Sequence, residues 1–213
     1  MTTLAPPFRT ALAVVARGVA VATLFAALPA MAAAPTGLWP CIQPKVATLA
    51  SGQMWAGPPI ENLDWHADAE VAELVPVLAA RRTSIEDATQ HIESFAQEAG
   101  ADRNAKLTLL FAGTFEQINA LRSRIMDGIE RYSQHQLDLS QRIKQESLDL
   151  AKKKKAADSA EAKAQVAQLE QQVLWDTRIY DTRAQAMTAV CESPVILDQR
   201  AFAIARAIQN VMQ

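Results

Sequence analysis

The sequence predicts an all-α fold, in which a small helical bundle carries a long antiparallel coiled-coil hairpin and an irregular N-terminal strap rich in tryptophan and proline. After Asp68, apolar residues recur at three- and four-residue steps, as they do in helices that bury one face. Between Gly100 and Ser193 the chain contains no proline, so long helices can form there. No segment alternates apolar and polar residues over the length of a strand.

The first 32 residues have the composition of a secretory signal peptide. Arg9 and Arg17 supply positive charge, residues 19–28 are apolar, and the Ala-Met-Ala triplet at 30–32 is a small-x-small cleavage signal. The apolar core of about ten residues is too short to span a hydrocarbon layer of about 30 Å, so a cleaved signal peptide is favoured over a retained anchor. The sequence therefore predicts export to the periplasm or the extracellular space, with no transmembrane segment after cleavage.

Cys41 and Cys191 are the two cysteines of the chain. In an oxidising compartment such a pair most simply forms a disulfide, and two free thiols are the alternative. The bond would close a loop of about 150 residues, for which the chain-entropy model gives about 5 kcal/mol of stabilisation. There is no C-x-x-C motif, so a thioredoxin-type redox site is not predicted.

Residues 33–67 are predicted to form the irregular strap. Prolines and glycines interrupt this stretch repeatedly, and a short helix is expected only near residues 46–54. The same stretch contains Trp39, Trp55 and Trp65, and disordered tails rarely carry so many tryptophans. We therefore expect the strap to lie on the helical body through these side chains.

The helical domain, residues 68–213, is predicted to begin with two short helices. Asp68 is expected to cap the first helix, and Pro76 is expected to kink or split it. The Thr-Ser-Ile-Glu sequence at 83–86 matches a capping box and predicts the start of the second helix, which Gly100 should end. Helical spacing predicts that the inward side chains are Val71, Leu74, Val75, Leu78, Ile85, Ile92 and Phe95.

A third helix is predicted to begin near residues 102–105 and to extend for roughly 70 Å at the usual rise per residue. Its apolar stripe shows the seven-residue spacing of a coiled coil at Phe111, Ile118, Ile125, Tyr132 and Leu139.

The stripe fades at the lysine run and resumes at Val166, so a turn is expected near residues 156–158. A fourth helix would then return to about Cys191, which places a hairpin arm at about residues 129–180. Ser193-Pro194 should end this helix, and a last helix is expected over about 197–212. One uninterrupted helix is the alternative, because neither glycine nor proline marks the turn.

Asp64, His66 and Asp68 are the candidate metal ligands, since carboxylates and an imidazole alternate there near a helix start. Acidic residues at such positions are also typical of helix caps, so neither a metal nor a cofactor is predicted. The sequence lacks the motifs of nucleophilic hydrolases and zinc proteases, and no catalytic residue is predicted.

The most concentrated charge is a candidate interaction surface formed by Lys152, Lys153, Lys154 and Lys155. These lysines suit an acidic partner or, as a less favoured reading, peripheral contact with anionic lipid headgroups. A solvated hairpin end would carry the same residues. The formal net charge of −2 argues against nucleic acid as a ligand, since nucleic-acid binding requires a basic face.

These features predict an exported, non-enzymatic interaction, scaffold or accessory protein that acts through its hairpin arm. A long two-helix projection presents much surface for pairing with another protein or for self-association. Two alternatives remain open, namely a helical protein that binds a small ligand or metal, and a hydrolase with a carboxylate pair. The spatial separation that defines such a pair is not visible in a sequence.

Overall fold

The computed structural model describes residues 39–212, and this part of the chain forms four α-helices and three short 3-10 helices. The α-helices are α1 (Ala69–Ala79), α2 (Ile85–Glu98), α3 (Arg103–Ala156) and α4 (Ala160–Met212). The 3-10 helices cover Ser51–Gln53, Trp65–Ala67 and Gly100–Asp102. The all-α prediction is confirmed. The predicted signal peptide, 1–32, lies outside the described residues, as do residues 33–38 of the predicted strap.

Side-chain hydrogen bonds to the backbone fix where α1 and α2 begin. The Asp68 carboxylate accepts from the Val71 N–H at 3.1 Å, so Asp68 caps α1 as predicted. In α2, the Ser84 hydroxyl accepts from the Asp87 N–H at 3.0 Å. Ser84, and not Thr83, is therefore the cap of α2.

The ends of α1 and α2 show what proline and glycine do here. Pro76 neither splits α1 nor ends it, since the helix continues to Ala79. After α2, Gly100 has a φ of +55°, in the left-handed region that glycine enters without a Cβ clash. Gly100 thus occupies the position directly after the cap residue Ala99, where it was predicted to end the second helix.

A single apolar core joins α1 and α2 to the first part of α3 and the last part of α4. We call this region the body, residues 39–130 and 191–212. Its largest fully buried side chains come from all four helices and include Val71, Leu78, Ile92, Leu107, Leu110, Phe111, Ile118, Leu197, Ile204 and Ile208. No helix within residues 39–212 combines the length and apolar character needed to cross a membrane.

α3 and α4 form a long antiparallel hairpin. α3 ends at Ala156 and α4 begins at Ala160, so the turn lies at residues 157–159, close to its predicted position. The Ser159 hydroxyl accepts from the Ala162 N–H at 3.1 Å and so supports the first turn of α4. The 54 residues of α3 extend for about 80 Å at 1.5 Å per residue. The alternative of one uninterrupted helix is wrong.

α4 is continuous, so the predicted break at Ser193-Pro194 and the separate last helix are wrong. Pro194 is buried inside α4, where it removes one backbone donor. The Ser193 hydroxyl donates to the carbonyl oxygen of Ala189 at 3.3 Å, which adds a hydrogen bond in the turn around the proline. Beyond it, Leu197 and its neighbours pack in the body core. This packing outweighs the tendency of proline to end a helix.

The segment before α1 is fastened to the body at several points. Cys41 and Cys191 form the predicted disulfide, with their Cα atoms 5.5 Å apart. The Leu49 N–H donates to the Asn119 side chain on α3 at 3.0 Å. Near the other end of the segment, Trp55 and Trp65 are buried, as expected for anchoring side chains. The predicted short helix is present as the 3-10 turn Ser51–Gln53.

The two buried tryptophans contact α3 in different ways. The Trp55 ring stacks on Phe111, with ring centroids 4.1 Å apart. Trp65 donates from Nε1 to Glu116 at 2.9 Å and packs directly on Gly113. A Cβ atom at Gly113 would lie 2.6 Å from the Trp65 ring, so only glycine allows this approach.

Two buried arginines connect elements that are distant in sequence. Arg200 on α4 donates to the carbonyl oxygens of Leu78 and Thr83, at 2.7 and 2.8 Å, and so fastens the α1–α2 turn to α4. Burial lowers the pKa of Arg200 from its ordinary value. Arg122 on α3 donates to Asp198 on α4 at 2.6 Å and to the carbonyl oxygen of Val46. Both arginines thus provide hydrogen-bond donors for backbone carbonyl oxygens at the ends of helices or in loops.

Candidate interaction surface on the helical arm

The part of the hairpin beyond the body is held together by contacts between α3 and α4 themselves. We call residues 131–190 the arm. Five hydrogen bonds cross it, and each joins a side chain of one helix to the other helix. They are spread along the arm from Tyr132 near the body to Lys154 near the turn. The arm therefore keeps its register over its whole length without a broad core.

Polar side chains occupy buried positions where α3 faces α4. Gln136 is 8% exposed and donates to the carbonyl oxygen of Tyr180 at 3.2 Å. Asp176 is 6% exposed and accepts from two nitrogens of Arg142, at 3.0 and 2.9 Å. Leu139 is the buried leucine between these polar contacts. Buried polar groups at such positions fix the register of a coiled coil at a cost in stability.

An open groove of about 670 Å³ runs along the arm between the two helices. Its α3 wall consists of Tyr132, His135, Asp138, Leu139 and Arg142. Its α4 wall consists of Ile179 and Arg183. We call this feature the arm groove. Three- and four-residue steps along each helix place these side chains on one side of the hairpin.

Large apolar side chains of the arm are exposed to solvent. Trp175 is 62% exposed and Leu174 is 59% exposed on α4, while Leu137 and Leu148 are about half exposed on α3. Trp175 precedes Ile179 by four residues, so it lies one turn from the arm groove on the same face of α4. Leu174 points about 100° away from Trp175 around the helix axis. The arm groove thus continues into an exposed tryptophan.

The predicted lysine surface is at the far end of α3, next to the turn. Lys152, Lys153, Lys154 and Lys155 are all exposed in the last turns of the helix, where cations are favoured by the helix dipole. Lys154 forms an ion pair with Glu170 on α4 at 2.7 Å. Its neighbours face solvent at the tip of the arm. The structure therefore places this run at a position accessible to another molecule.

The three candidate metal ligands are engaged in other contacts. The Asp64 carboxylate accepts from the backbone N–H of His66, whose ring stacks on Trp65 with centroids 3.6 Å apart. Asp68 caps α1 and lies 3.8 Å from the Lys106 ammonium. Within residues 39–212, no group of three potential ligands is close enough to hold a metal ion.

Lys106 already provides a cation at the start of α1. It donates to Glu70 at 2.6 Å, and this hydrogen bond raises the pKa of Lys106 despite desolvation, which acts in the opposite direction. The carboxylates of Asp68 and Glu70 are thus paired with a lysine on α3. These two carboxylates therefore take part in an ionic contact between α1 and α3.

The sequence did not indicate the arm groove. Arg142, Asp176 and Arg183 are ordinary charged residues of a long helix, and their convergence depends on the register between two helices. Trp175 carried the available signal, because a tryptophan just outside the apolar stripe of a predicted coiled coil is unusual. At the same place, the exposed Leu174 and Trp175 directly precede the buried Asp176, which reverses the usual burial of apolar and charged residues.

No protein-family model, curated protein sequence or solved structure matches this chain. The chemistry of its own surfaces is therefore the basis for assigning a function. Among those surfaces, the arm groove combines two guanidinium groups, a tyrosine and a nearby exposed tryptophan. Tyrosine, tryptophan and arginine are the residue types most enriched at the energetic centres of protein interfaces.

Proposed function

We propose that this chain is an exported, non-enzymatic adaptor or scaffold that binds another protein through its arm. The observation that carries the proposal is the exposure of large apolar side chains, Trp175 above all, on a hairpin whose two helices are already joined to each other by side-chain hydrogen bonds. Contiguous exposed apolar surface is typical of interaction sites. An adaptor needs an exposed apolar surface that is held in a defined position, and the arm provides both the surface and its position.

The organisation of the arm supports this use. A two-helix projection buries much less apolar surface per residue than the body does, so its length adds little to the stability of the fold. The buried polar contacts of Gln136 and Asp176 keep the register while leaving the outer faces free. The arm thus extends an interaction surface about 40 Å beyond the body, at the usual rise per helical residue.

The disulfide supports the exported location. Disulfides persist in oxidising compartments and are rare in reducing ones. The Cys41–Cys191 bond lies at the base of the arm, where it ties the N-terminal segment to α4. This agrees with the signal peptide that the sequence predicts for residues 1–32.

Site-specific photo-cross-linking in the native host tests the proposal. A photoreactive amino acid at Leu148 or Leu174 on the arm should give adducts with another protein, because these side chains are exposed. The matched control is Glu93, an exposed position on α2 of the body. Adducts from the arm positions and not from Glu93 are the expected result.

Two outcomes would contradict the proposal. In the first, Glu93 gives the same adducts in the same yield as the arm positions. In the second, neither arm position gives a protein adduct although the chain is exported and its disulfide has formed. Formation of the disulfide is checked by thiol titration before and after denaturation.

A further inference from the structure

We propose that the arm groove is the docking site for an amphipathic helix of a partner protein, and that this helix carries acidic residues beside its apolar stripe. The inference rests on the proposed function and specifies the surface and the kind of partner. Three features of the arm groove carry it: its shape, its apolar side chains and its charge.

The shape of the arm groove fits a helix. Along α3 it extends from Tyr132 to Arg142, a distance of about 15 Å, or nearly three helical turns. Both walls are helices, and a third helix that packs between two others extends the same packing into a three-helix bundle. Helix-in-groove docking uses anchors at three- and four-residue steps, which is the spacing that the walls themselves show.

The apolar side chains provide anchors. Leu139 is buried between the walls, Ile179 is partly exposed on the α4 wall, and Trp175 extends the same surface by one turn. Tyr132 donates its hydroxyl to the carbonyl oxygen of Arg183 at 3.0 Å, so its ring is held in place on the α3 wall. A guest helix with a stripe of leucine-sized residues would bury Ile179 and Trp175, while Leu139, which is only 6% exposed, forms the floor between them.

Charge determines which helix fits. Arg142 and Arg183 place a guanidinium on each wall, and the Arg142 side chain remains 56% exposed while it pairs with Asp176. Asp138 on the α3 wall accepts from the Gln134 amide at 2.7 Å. Among the exposed charged side chains of the arm groove, the two arginines outnumber the single carboxylate, Asp138, although the buried Asp176 offsets part of the Arg142 charge. This excess favours carboxylates at the flanking positions of the guest, as in the charge pairing of coiled coils.

The charge of the rest of the molecule directs such a partner to the arm. α1 and α2 contain no lysine or arginine, and their exposed side chains include six acids: Glu70, Glu73, Glu86, Asp87, Glu93 and Glu98. The lysine run is at the tip of the arm. The exposed Arg81 and Arg82 in the turn between α1 and α2 offset two of these six charges, and the remaining acidic excess repels an acidic partner that the lysine run of the arm attracts.

The body of a second copy of the chain is a less suitable guest. The helices of the body have acidic outer faces, but they bury their apolar stripes in the body core. Within residues 39–212, neither α1 nor α2 offers the apolar stripe that Leu139, Ile179 and Trp175 require. A helix from another protein satisfies both requirements.

Binding of two synthetic helical peptides to the full disulfide-bonded chain tests the inference. Both peptides carry leucine at heptad a and d positions; one has glutamate and the other lysine at the flanking positions. Fluorescence anisotropy of labelled peptide should show that the acidic peptide binds at least about tenfold more tightly, which corresponds to about 1.4 kcal/mol. Raising the salt concentration should weaken this binding.

Variants of exposed residues locate the site. Arg183→Glu should reverse the preference between the two peptides, Arg183→Gln should abolish it, and Trp175→Ala should weaken binding about tenfold. Phe202→Ala is the control, because Phe202 is an exposed aromatic residue of the same helix that lies in the body, away from the arm groove. It should leave binding unchanged.

Equal affinity for the two peptides, failure of both to bind, or an unchanged preference in Arg183→Glu would overturn the inference. Sedimentation of the chain alone tests the other occupant. A dimer that Arg183→Glu dissociates would show that a second copy fills the arm groove, and the inference would be wrong. If cross-links form from Leu148 and Leu174 while the peptides do not bind, the arm is an interaction surface but the arm groove is not its docking site.

Discussion

The body and the arm are built from the same two long helices, yet they are stabilised in different ways. In the body, α3 buries Leu107, Leu110 and Ile118 completely against three other helices. In the arm, the same helix buries Gln136 and one leucine, Leu139, against α4 alone. Apolar burial accounts for stability in the first region, whereas polar contacts set register in the second. This difference is the basis of our proposal that the arm provides an interaction surface.

The sharpest test of this comparison is the same substitution in both regions of α3. Leu110→Ala should lower the free energy of unfolding by about 3–5 kcal/mol, because it leaves a cavity in a core closed on all sides. Leu139→Ala should lower it by about 1 kcal/mol or less, because the arm can open locally without unfolding the body. Urea denaturation followed by far-UV circular dichroism measures both.

Hydrogen exchange distinguishes local from global effects in these two variants. Leu139→Ala should speed amide exchange within residues 131–190 and leave the body protected, whereas Leu110→Ala should speed exchange throughout. If Leu139→Ala costs as much global stability as Leu110→Ala, the arm and the body unfold as one unit. The proposed division between them would then be wrong.

The disulfide at the junction of the two regions gives the next largest effect. Replacing Cys41 and Cys191 by serine should lower the free energy of unfolding by about 2–4 kcal/mol, since the bond closes a loop of 150 residues. The loss should come from the body, because Cys41 fastens the segment that carries Trp55 and Trp65 to the core. A double variant with unchanged urea midpoint and slope would contradict this.

Features with a local signal were predictable from the sequence. Asp68 has the residue type and position of a helix cap, and the structure shows the bond it makes to Val71. The heptad positions Phe111 and Ile118 are buried in the body. Two cysteines allow only one disulfide within the chain. The lysine run followed by Asp158 indicated the turn between α3 and α4. Each of these depends on a few neighbouring residues or on simple periodicity.

Features that depend on tertiary context were not predictable. Pro194 is a helix breaker by every local rule, but the packing of Leu197 beyond it keeps α4 continuous. Arg122 and Asp176 are charged, so periodicity assigns them to a solvated face, although both are buried by partners far away in sequence. The arm groove requires the register between α3 and α4, which depends on such contacts.

Two glycines in α3 compare the centre of the body with its end next to the arm at the level of the backbone. Gly113→Ala should lower the free energy of unfolding by about 1–3 kcal/mol, because the new methyl group would overlap Trp65 and Val75. Gly128→Ala, near the base of the arm, meets only the end of the Arg131 side chain at 3.9 Å. It should raise stability by up to about 1 kcal/mol through helix propensity. Destabilisation by both variants, measured by thermal denaturation, would show that α3 is closely packed at both positions.

The smallest expected effect concerns the buried ion pair of the arm. A double-mutant cycle on Arg142→Ala and Asp176→Ala should give a coupling of about 1 kcal/mol in the local stability of the arm, since the Asp176 side chain is only 8% exposed and its Oδ2 atom accepts from two nitrogens of Arg142. The matched pair in the body, Lys45–Glu130, is 38% and 32% exposed and should give about 0.5 kcal/mol or less.

Hydrogen exchange within residues 131–190 measures the arm cycle, and urea denaturation measures the pair in the body. Asp176→Ala should also shift the register between the helices, which a change in the distance between spin labels at Leu148 and Glu170 would detect. The equivalent change at Glu130 should leave that distance unaltered, because the register of the arm is set within the arm. If Asp176→Ala preserves both the distance and the exchange rates, Gln136 and Leu139 hold the arm without the ion pair. The arm would then resemble the body in depending on packing more than on charge.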